Sequence, residues 1–196
     1  MPATTMEYRS FALMQPVQDE QRGYIVEGYA TTFDDPYEMG FGTSEVIRSS
    51  ALDGADMADV IFNLNHEGQP LARLRNGSMA LERDAHGLKV RADLGGSQAG
   101  RELYEGIVNG LVDRMSWAFT VAEGGWDYDE AIRTAYVNRI ERVYDVSAVS
   151  IPANEGTEIH ARSYLGAVSE MQQRSEAAQD GKSDERARLA LALAML

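Results

Sequence analysis

Short apolar runs follow one another closely over residues 8–161, and Gly, Asp and Asn residues separate them. This spacing is typical of strands joined by tight connections, with only a few helices between them. We therefore expect a β-rich first domain over residues 1–161. The composition then changes to Ala, Glu, Gln and Arg, which predicts a helical, partly flexible C-terminal tail over residues 162–196.

Periodicity places several elements within the first domain. Strands are predicted at 23–33, 60–64, 131–140 and 143–151, and a hairpin at 79–82 with 88–94. Strict alternation in the second hairpin strand puts Lys89 on the solvent side. Ser97 as N-cap and Gly110 as C-terminal stop define one helix, and a weaker helix is predicted around 51–57.

Composition restricts the classes of function. The formal net charge is −13, which argues against nucleic acid as a partner because phosphate backbones bind Lys and Arg. The chain has no cysteine, which excludes thiol catalysis and thiolate metal sites and fits a reducing compartment. The N-terminus does not look like a secretion signal, and no stretch approaches the roughly 20 apolar residues that cross a bilayer. We expect an intracellular protein without a membrane anchor.

His66 is a candidate general base. It is the one histidine that follows a predicted strand, and a period of two places it on the face of Phe62 and Leu64. Imidazole, with an unperturbed pKa of about 6.5, is the side chain best suited to take a hydroxyl proton near neutral pH. A hydrogen-bonded structural histidine is the alternative on the residues alone.

Ser116 is a candidate nucleophile. It lies in a segment with bulky residues on one face and small residues on the other, and it shares the small face with Ala118 and Thr120. A face of small side chains is predicted to leave room for an extended peptide. An ordinary serine in a strand explains the same pattern.

Asp145 is a candidate for the acid that orients a histidine. Strand-forming residues flank it on both sides, and a carboxylate there needs a donor or a positive partner. An imidazole would meet that need and would be held in one tautomer, as in a hydrolase triad. An ion pair with Arg139 or Arg142 is the alternative.

Other mechanisms have fewer residues to support them. A Ser/Lys dyad needs a buried lysine, whereas Lys89 is predicted to face solvent and Lys182 lies in a polar linker. A three-histidine metal site would need His86 and His160 to converge on His66. No nucleophile elbow, Walker loop or dinucleotide fingerprint occurs in the sequence. We expect neither a metal nor a cofactor.

In their order and spacing, these segments resemble the prohead protease family of tailed bacteriophages, serine peptidases related in fold to the herpesvirus maturation proteases. The resemblance covers residues 8–161. It is carried by segments 28–33, 45–47, 51–52, 62–67, 70–73, 87–90, 115–119 and 145–154.

The resemblance implies an α+β fold of the herpesvirus-protease type, a mostly antiparallel β-barrel or curled sheet surrounded by helices. It implies His66 as general base and Ser116 as nucleophile. It places an acid, commonly glutamate, where Asp145 stands. If the shorter Asp145 does not reach His66, Glu141 or His160 becomes the candidate.

The function implied is that of a viral prohead maturation serine endopeptidase working through an acyl-enzyme. Its substrates would be scaffold protein or the scaffold-like extension of the major capsid protein, and the protease itself, inside the prohead in the host cytoplasm. A homodimer is implied by analogy with the herpesvirus enzymes. Two alternatives stay open: a non-catalytic capsid-assembly or scaffolding module, and a metal-dependent hydrolase.

Overall fold

The computed structural model of the chain describes residues 6–11, 15–17, 23–40 and 42–150. This part contains thirteen strands and one helix. The strands are β1 (Glu7–Phe11), β2 (Gln15–Val17), β3 (Ile25–Thr32), β4 (Tyr37–Gly40), β5 (Thr43–Ile47), β6 (Ile61–Leu64), β7 (Glu67–Arg73), β8 (Met79–Arg83), β9 (Gly87–Asp93), β10 (Arg114–Val121), β11 (Trp126–Asp129), β12 (Thr134–Val137) and β13 (Ile140–Val149). The helix, α1, spans Gln98–Val108.

The described strands form three sheets. A five-stranded sheet has the order β1-β10-β13-β6-β7, and two four-stranded sheets have the orders β11-β12-β5-β4 and β2-β3-β9-β8. Parallel pairing joins β5 to β12 and β6 to β13, while the other pairs of these strands are antiparallel. β3 contacts both β1 and β10, so the third sheet packs against the first.

The predicted α+β fold, a barrel or curled sheet surrounded by helices, is wrong. The described residues are mostly β, their three sheets are open, and α1 is their single helix. Local periodicity can locate strands, but closure depends on pairing between distant strands, which leaves no local signal. The predicted helical tail at 162–196 lies outside the described residues.

The predicted helix at 51–57 is also wrong. The N–H groups of Ala51, Asp53 and Ala55 each donate to a carbonyl three residues earlier, at 2.8, 2.9 and 3.2 Å. Gly54 then takes a φ of 81°, a left-handed conformation that a continuing helix does not allow. The segment is a series of turns.

The prediction for α1 is confirmed. The hydroxyl of Ser97 accepts a hydrogen bond from the N–H of Gly100 at 3.0 Å, which satisfies one of the unpaired amides of the first turn. Leu103 and Ile107 are buried on one side of the helix. Gly110 has a φ of 70° just beyond the C-cap, as a helix stop requires.

The hairpin of β8 and β9 is confirmed, as is the alternation of β9. Leu88, Val90 and Ala92 are buried, whereas Lys89 lies partly exposed on the other face. Lys89 and its neighbour on that face, Arg91, both pair with Glu27 of β3. The hairpin is therefore fixed by its apolar face on one side and by an ion-pair cluster on the other.

The core lies on one face of β10. Met115, Trp117 and Phe119 alternate along this strand and are fully buried. The ring centroids of Trp117 and Phe119 lie 4.3 Å apart. They belong to one cluster with Phe62 of β6 and Val146 of β13. Because this face of β10 is fixed by the core, the residues between these positions must point to the opposite side of the sheet.

Gly87 allows a close approach of two strands, which gives a first prediction. A Cβ at this position would lie 2.0 Å from the carbonyl oxygen of Thr31. Gly87→Ala should lower the free energy of unfolding by about 1–3 kcal/mol, because the backbone must shift to relieve the contact. The matched control is Gly96→Ala, whose added Cβ meets nothing within 4 Å and should change stability by less than about 0.5 kcal/mol. Urea unfolding of the three proteins measures both, and equal stabilities would contradict the close contact.

The Glu27 cluster gives a prediction about pH. The hydrogen bond from Arg91, and the nearby Lys89, hold the pKa of the Glu27 carboxyl below its ordinary value. A lowered pKa in the folded state stabilises the fold above the unfolded pKa, and the stabilisation is lost as the pH falls through the folded pKa. Glu27→Gln should therefore lower the free energy of unfolding at neutral pH by about 0.5 kcal/mol, a small value because the pair is partly exposed. In urea titrations the difference from wild type should shrink below about pH 4.5 and in about 1 M salt, and a difference independent of both would refute the ion pair.

Candidate active site

The antiparallel pairing of β10 with β13 brings two candidate residues onto one face of the five-stranded sheet. Ser116 lies directly opposite Ser147, and Ala118 lies opposite Asp145. Residues opposite each other in a sheet project to the same side, and so do residues two apart on one strand. Ser116 and Asp145 therefore share the face opposite the core.

His66 reaches this face through a tight turn. Asn65 and His66 connect β6 to β7, and both have positive φ, 52° and 60°, as the two central residues of a type I′ hairpin turn require. The N–H of Asn65 donates to the carbonyl of Ala148 at 2.8 Å, and its side-chain oxygen accepts from the N–H of Ser150 at 3.0 Å. The turn is thus attached to the end of β13.

His66 and Asp145 are in contact. Nδ1 of His66 lies 2.7 Å from Oδ1 of Asp145, and the two side chains are 17% and 10% exposed. Because an ionised carboxylate only accepts hydrogen bonds, Nδ1 carries the proton and Nε2 is the basic nitrogen of the ring. Aspartate is long enough here to hold the imidazole in one orientation.

The other partners considered for this carboxylate and this imidazole lie elsewhere. Arg139 donates to the carbonyl of Glu123 at 2.6 Å, and Arg142 pairs with Asp56 at 3.5 Å. Glu141 is exposed, and His160 lies outside the described residues. The alternative that Asp145 forms an ion pair with Arg139 or Arg142 is therefore wrong.

The strand periodicity used for His66 gave the wrong face. β6 ends at Leu64, and the two left-handed residues that follow turn the chain back. Phe62 points into the core, whereas the contact with Asp145 puts the imidazole on the face of Asn63. A period of two holds only while the backbone remains extended.

A buried polar row crosses three neighbouring strands at this site. It consists of Ser116 on β10, Ser147 on β13 and Asn63 on β6. Ser147 pairs with Ser116 on one side and with Asn63 on the other. All three are at most 4% exposed. Ser147 also donates a hydrogen bond to Oδ1 of Asp145 at 2.9 Å. Sequence reasoning missed Ser147, although its position two residues after Asp145 places it on the same face.

Ser116 itself is covered. It is 2% exposed, and its Oγ has no hydrogen-bond partner in the described part of the chain, so it is not bonded to His66. Ala118 and Thr120 on the same face are buried as well. The face of small side chains is therefore buried in this arrangement, and binding of an extended peptide to it stays a prediction.

His86 serves a turn away from this site. It lies edge-on to Tyr29 with ring centroids 4.6 Å apart, and Asp84 accepts the backbone N–H groups of His86 and Gly87 at 2.7 and 2.9 Å. The hydroxyl of Tyr29 also donates to Asp84, which lowers the pKa of the Asp84 carboxyl. Over the described residues, no group of three His, Cys, Asp or Glu side chains could hold a metal ion.

Comparison with known proteins identifies the class. The family model described as caudovirus prohead serine protease matches residues 12–173 of the chain. The chain therefore belongs to the caudovirus prohead serine protease family, and this membership supports a capsid maturation protease of the serine class. No curated protein matches the chain, and no solved structure does. Within the described residues no helix is long and apolar enough to cross a membrane.

Thr120 provides a prediction about the cost of the buried face. Its Oγ1 is buried and has no hydrogen-bond partner among the described residues. Thr120→Val keeps the side-chain shape and removes that unpaired group, so the free energy of unfolding should rise by up to about 1–3 kcal/mol. Thermal and urea unfolding measure the change. Destabilisation by Thr120→Val would show that the hydroxyl has a partner after all.

Proposed function

We propose that Ser116, His66 and Asp145 form the catalytic triad of this capsid maturation protease. The contact of His66 with Asp145 is the observation that carries the proposal. A carboxylate on Nδ1 fixes the tautomer in which Nε2 accepts a proton, and it stabilises the imidazolium that follows. Ser116 lies on the same sheet face, and its strand neighbour Ser147 is bonded to the same carboxylate.

The reaction is acyl transfer to water. Oγ of Ser116 attacks the peptide carbonyl carbon while Nε2 of His66 takes the hydroxyl proton. The imidazolium then gives this proton to the leaving amine, and the C–N bond breaks to leave an acyl-enzyme. Water, deprotonated by His66, attacks the ester and releases the acid and the free Ser116 hydroxyl.

The burial of Ser116 makes this arrangement a resting one in our proposal. A hydroxyl without solvent contact cannot meet a peptide carbonyl, so productive binding has to uncover Ser116 and bring it within hydrogen-bond distance of His66. Catalytic hydrogen bonds are often long or poorly aligned before substrate binds, and they tighten only in the complex. A protease that is inactive until it engages its substrate is suited to a shell that must assemble before it is processed.

Capsid proteins are the substrate class that membership of the family implies. We propose more narrowly that the enzyme cleaves scaffold protein or the scaffold-like extension of the major capsid protein, and itself, inside the prohead in the host cytoplasm. Formation of a homodimer stays a prediction from the resemblance to the herpesvirus enzymes. The chain's acidity agrees with a protein substrate better than with a nucleic acid.

Coexpression with the capsid and scaffold proteins tests the proposal. Wild type should convert these proteins and itself to shorter products of defined mass. Ser116→Ala and His66→Ala should each lower turnover by about three orders of magnitude or more, because triad members act as a unit. Intact-mass spectrometry of isolated proheads measures the products.

Ser44→Ala is the matched control. Ser44 lies on β5 in a different sheet, so its loss should leave cleavage at the wild-type rate. Normal processing by Ser116→Ala would refute the proposed nucleophile. If that variant also lost activity to a chelator, a metal-dependent hydrolase would be the better interpretation, and absence of cleavage by every form including wild type would favour a non-catalytic assembly module.

A further inference from the structure

We infer that Ser147 is a positioning residue, which holds Asp145 in the orientation that bonds His66. The inference rests on the proposed function for its catalytic consequence. Its structural part, the effect of Ser147 on the contact between Asp145 and His66, stands by itself.

The geometry around Asp145 carries the inference. Its Oδ1 accepts from two sides, from Nδ1 of His66 at 2.7 Å and from the hydroxyl of Ser147 at 2.9 Å. A carboxylate side chain turns about χ1 and χ2 unless something holds it, and a single bond to a histidine on a turn leaves that rotation open. The second donor fixes the oxygen that the imidazole uses.

Ser147 is suited to this role by its rigidity. It is 0% exposed, and it lies on the same strand as Asp145, so backbone pairing on both sides of β13 sets the distance between the two residues. Hydrogen bonds to charged groups are among the stronger ones in proteins, and burial excludes the water that would compete. The hydroxyl of Ser147 therefore holds the Asp145 carboxylate in a fixed orientation.

The position of Ser147 relative to the nucleophile supports the same role. Ser147 lies directly opposite Ser116 on the neighbouring strand. Its hydroxyl hydrogen is directed to Asp145, so it is not available to compete with His66 for the Ser116 oxygen. Ser147 thus directs its donated bond toward the acid and away from the nucleophile.

The test uses Ser147→Ala in the full chain, with two readouts. The first is the exchange rate of the His66 Nδ1–H with solvent. It is measured by NMR in protein labelled with ¹⁵N-histidine, and the His66 signal is assigned by its absence in His66→Ala. The second is the rate at which a fluorophosphonate probe labels Ser116 in proheads that contain the capsid and scaffold proteins, located by mass spectrometry with Ser116→Ala as blank. Thr120→Val is the matched control, since it removes a buried hydroxyl of β10 that makes no hydrogen bond within the described residues.

Ser147→Ala should speed exchange of the Nδ1–H at least about tenfold and slow labelling of Ser116 about tenfold, as expected for loss of a hydrogen bond to a charged group. Thr120→Val should change neither. A structural role alone would lower the melting temperature without selectively exposing this one proton. Exchange within twofold of wild type in folded Ser147→Ala would overturn the inference.

Two further outcomes are separable. If wild type is not labelled at Ser116 even in proheads that contain the capsid and scaffold proteins, the proposed function fails, while the exchange comparison still decides the role of Ser147. If Ser147→Ala does not fold, Ser147→Cys takes its place, since it keeps the size of the side chain but has only a weak donor. The same twofold limit on exchange then overturns the inference.

Discussion

The pairing of β10 with β13 is the constraint on which the candidate site depends. It places Ser116 beside Ser147, and Ala118 beside Asp145, on the face opposite the core. The register is fixed because a slip of one residue would exchange the two faces of β10 and move Trp117 and its apolar neighbours out of the core onto the face of the polar row. The apolar face of one strand therefore determines where the polar face of its neighbour stands. The same strand register that packs the core therefore also positions the residues of the candidate site.

A second constraint acts through the backbone alone. His66 is held by a turn whose two central residues both have positive φ, a conformation that costs of the order of 1 kcal/mol or more for a residue with a Cβ. Asn65 tolerates it best and offsets part of the cost through its bonds to Ala148 and Ser150. These bonds attach the turn to the strand that carries Asp145. The imidazole thus meets the carboxylate because both belong to one hydrogen-bonded unit at the end of β13.

Elements whose causes lie close together in the sequence could be predicted, and features that depend on distant residues could not. α1 and the β8–β9 hairpin could be predicted because their causes lie within a few residues: the Ser97 cap, the stop at Gly110 and the alternation around Lys89. The strands β1, β2, β4, β5, β7 and β11 were not predicted, because they are short or lack alternation. Sheet order and openness depend on pairing between distant strands, such as β1 with β10 and β6 with β13. For the site, residue type and flanking strands indicated His66, Ser116 and Asp145, but Asn-His is not the usual type I′ turn dipeptide, so the face of His66 was misjudged.

The polar row lowers the stability of the folded protein, because two of its buried polar groups have no hydrogen-bond partner among the described residues. Ser116 Oγ and Asn63 Oδ1 are buried and lack hydrogen-bond partners among the described residues. Each such group costs about 1–3 kcal/mol, a considerable part of a total stability of about 5–15 kcal/mol. Apolar residues of similar size would fill these positions at lower free energy, and Ala118 beside Ser116 shows that the same face accepts one. Local rules are broken mainly where a function requires it, and here the two unpaired groups flank Ser147, the residue bonded to Asp145. In the proposed triad, an unbonded hydroxyl is the state from which Ser116 would lose least on turning to meet His66 and a substrate. On that proposal, the energetic cost of the row in the resting protein would reduce the free-energy change needed to form the reactive arrangement.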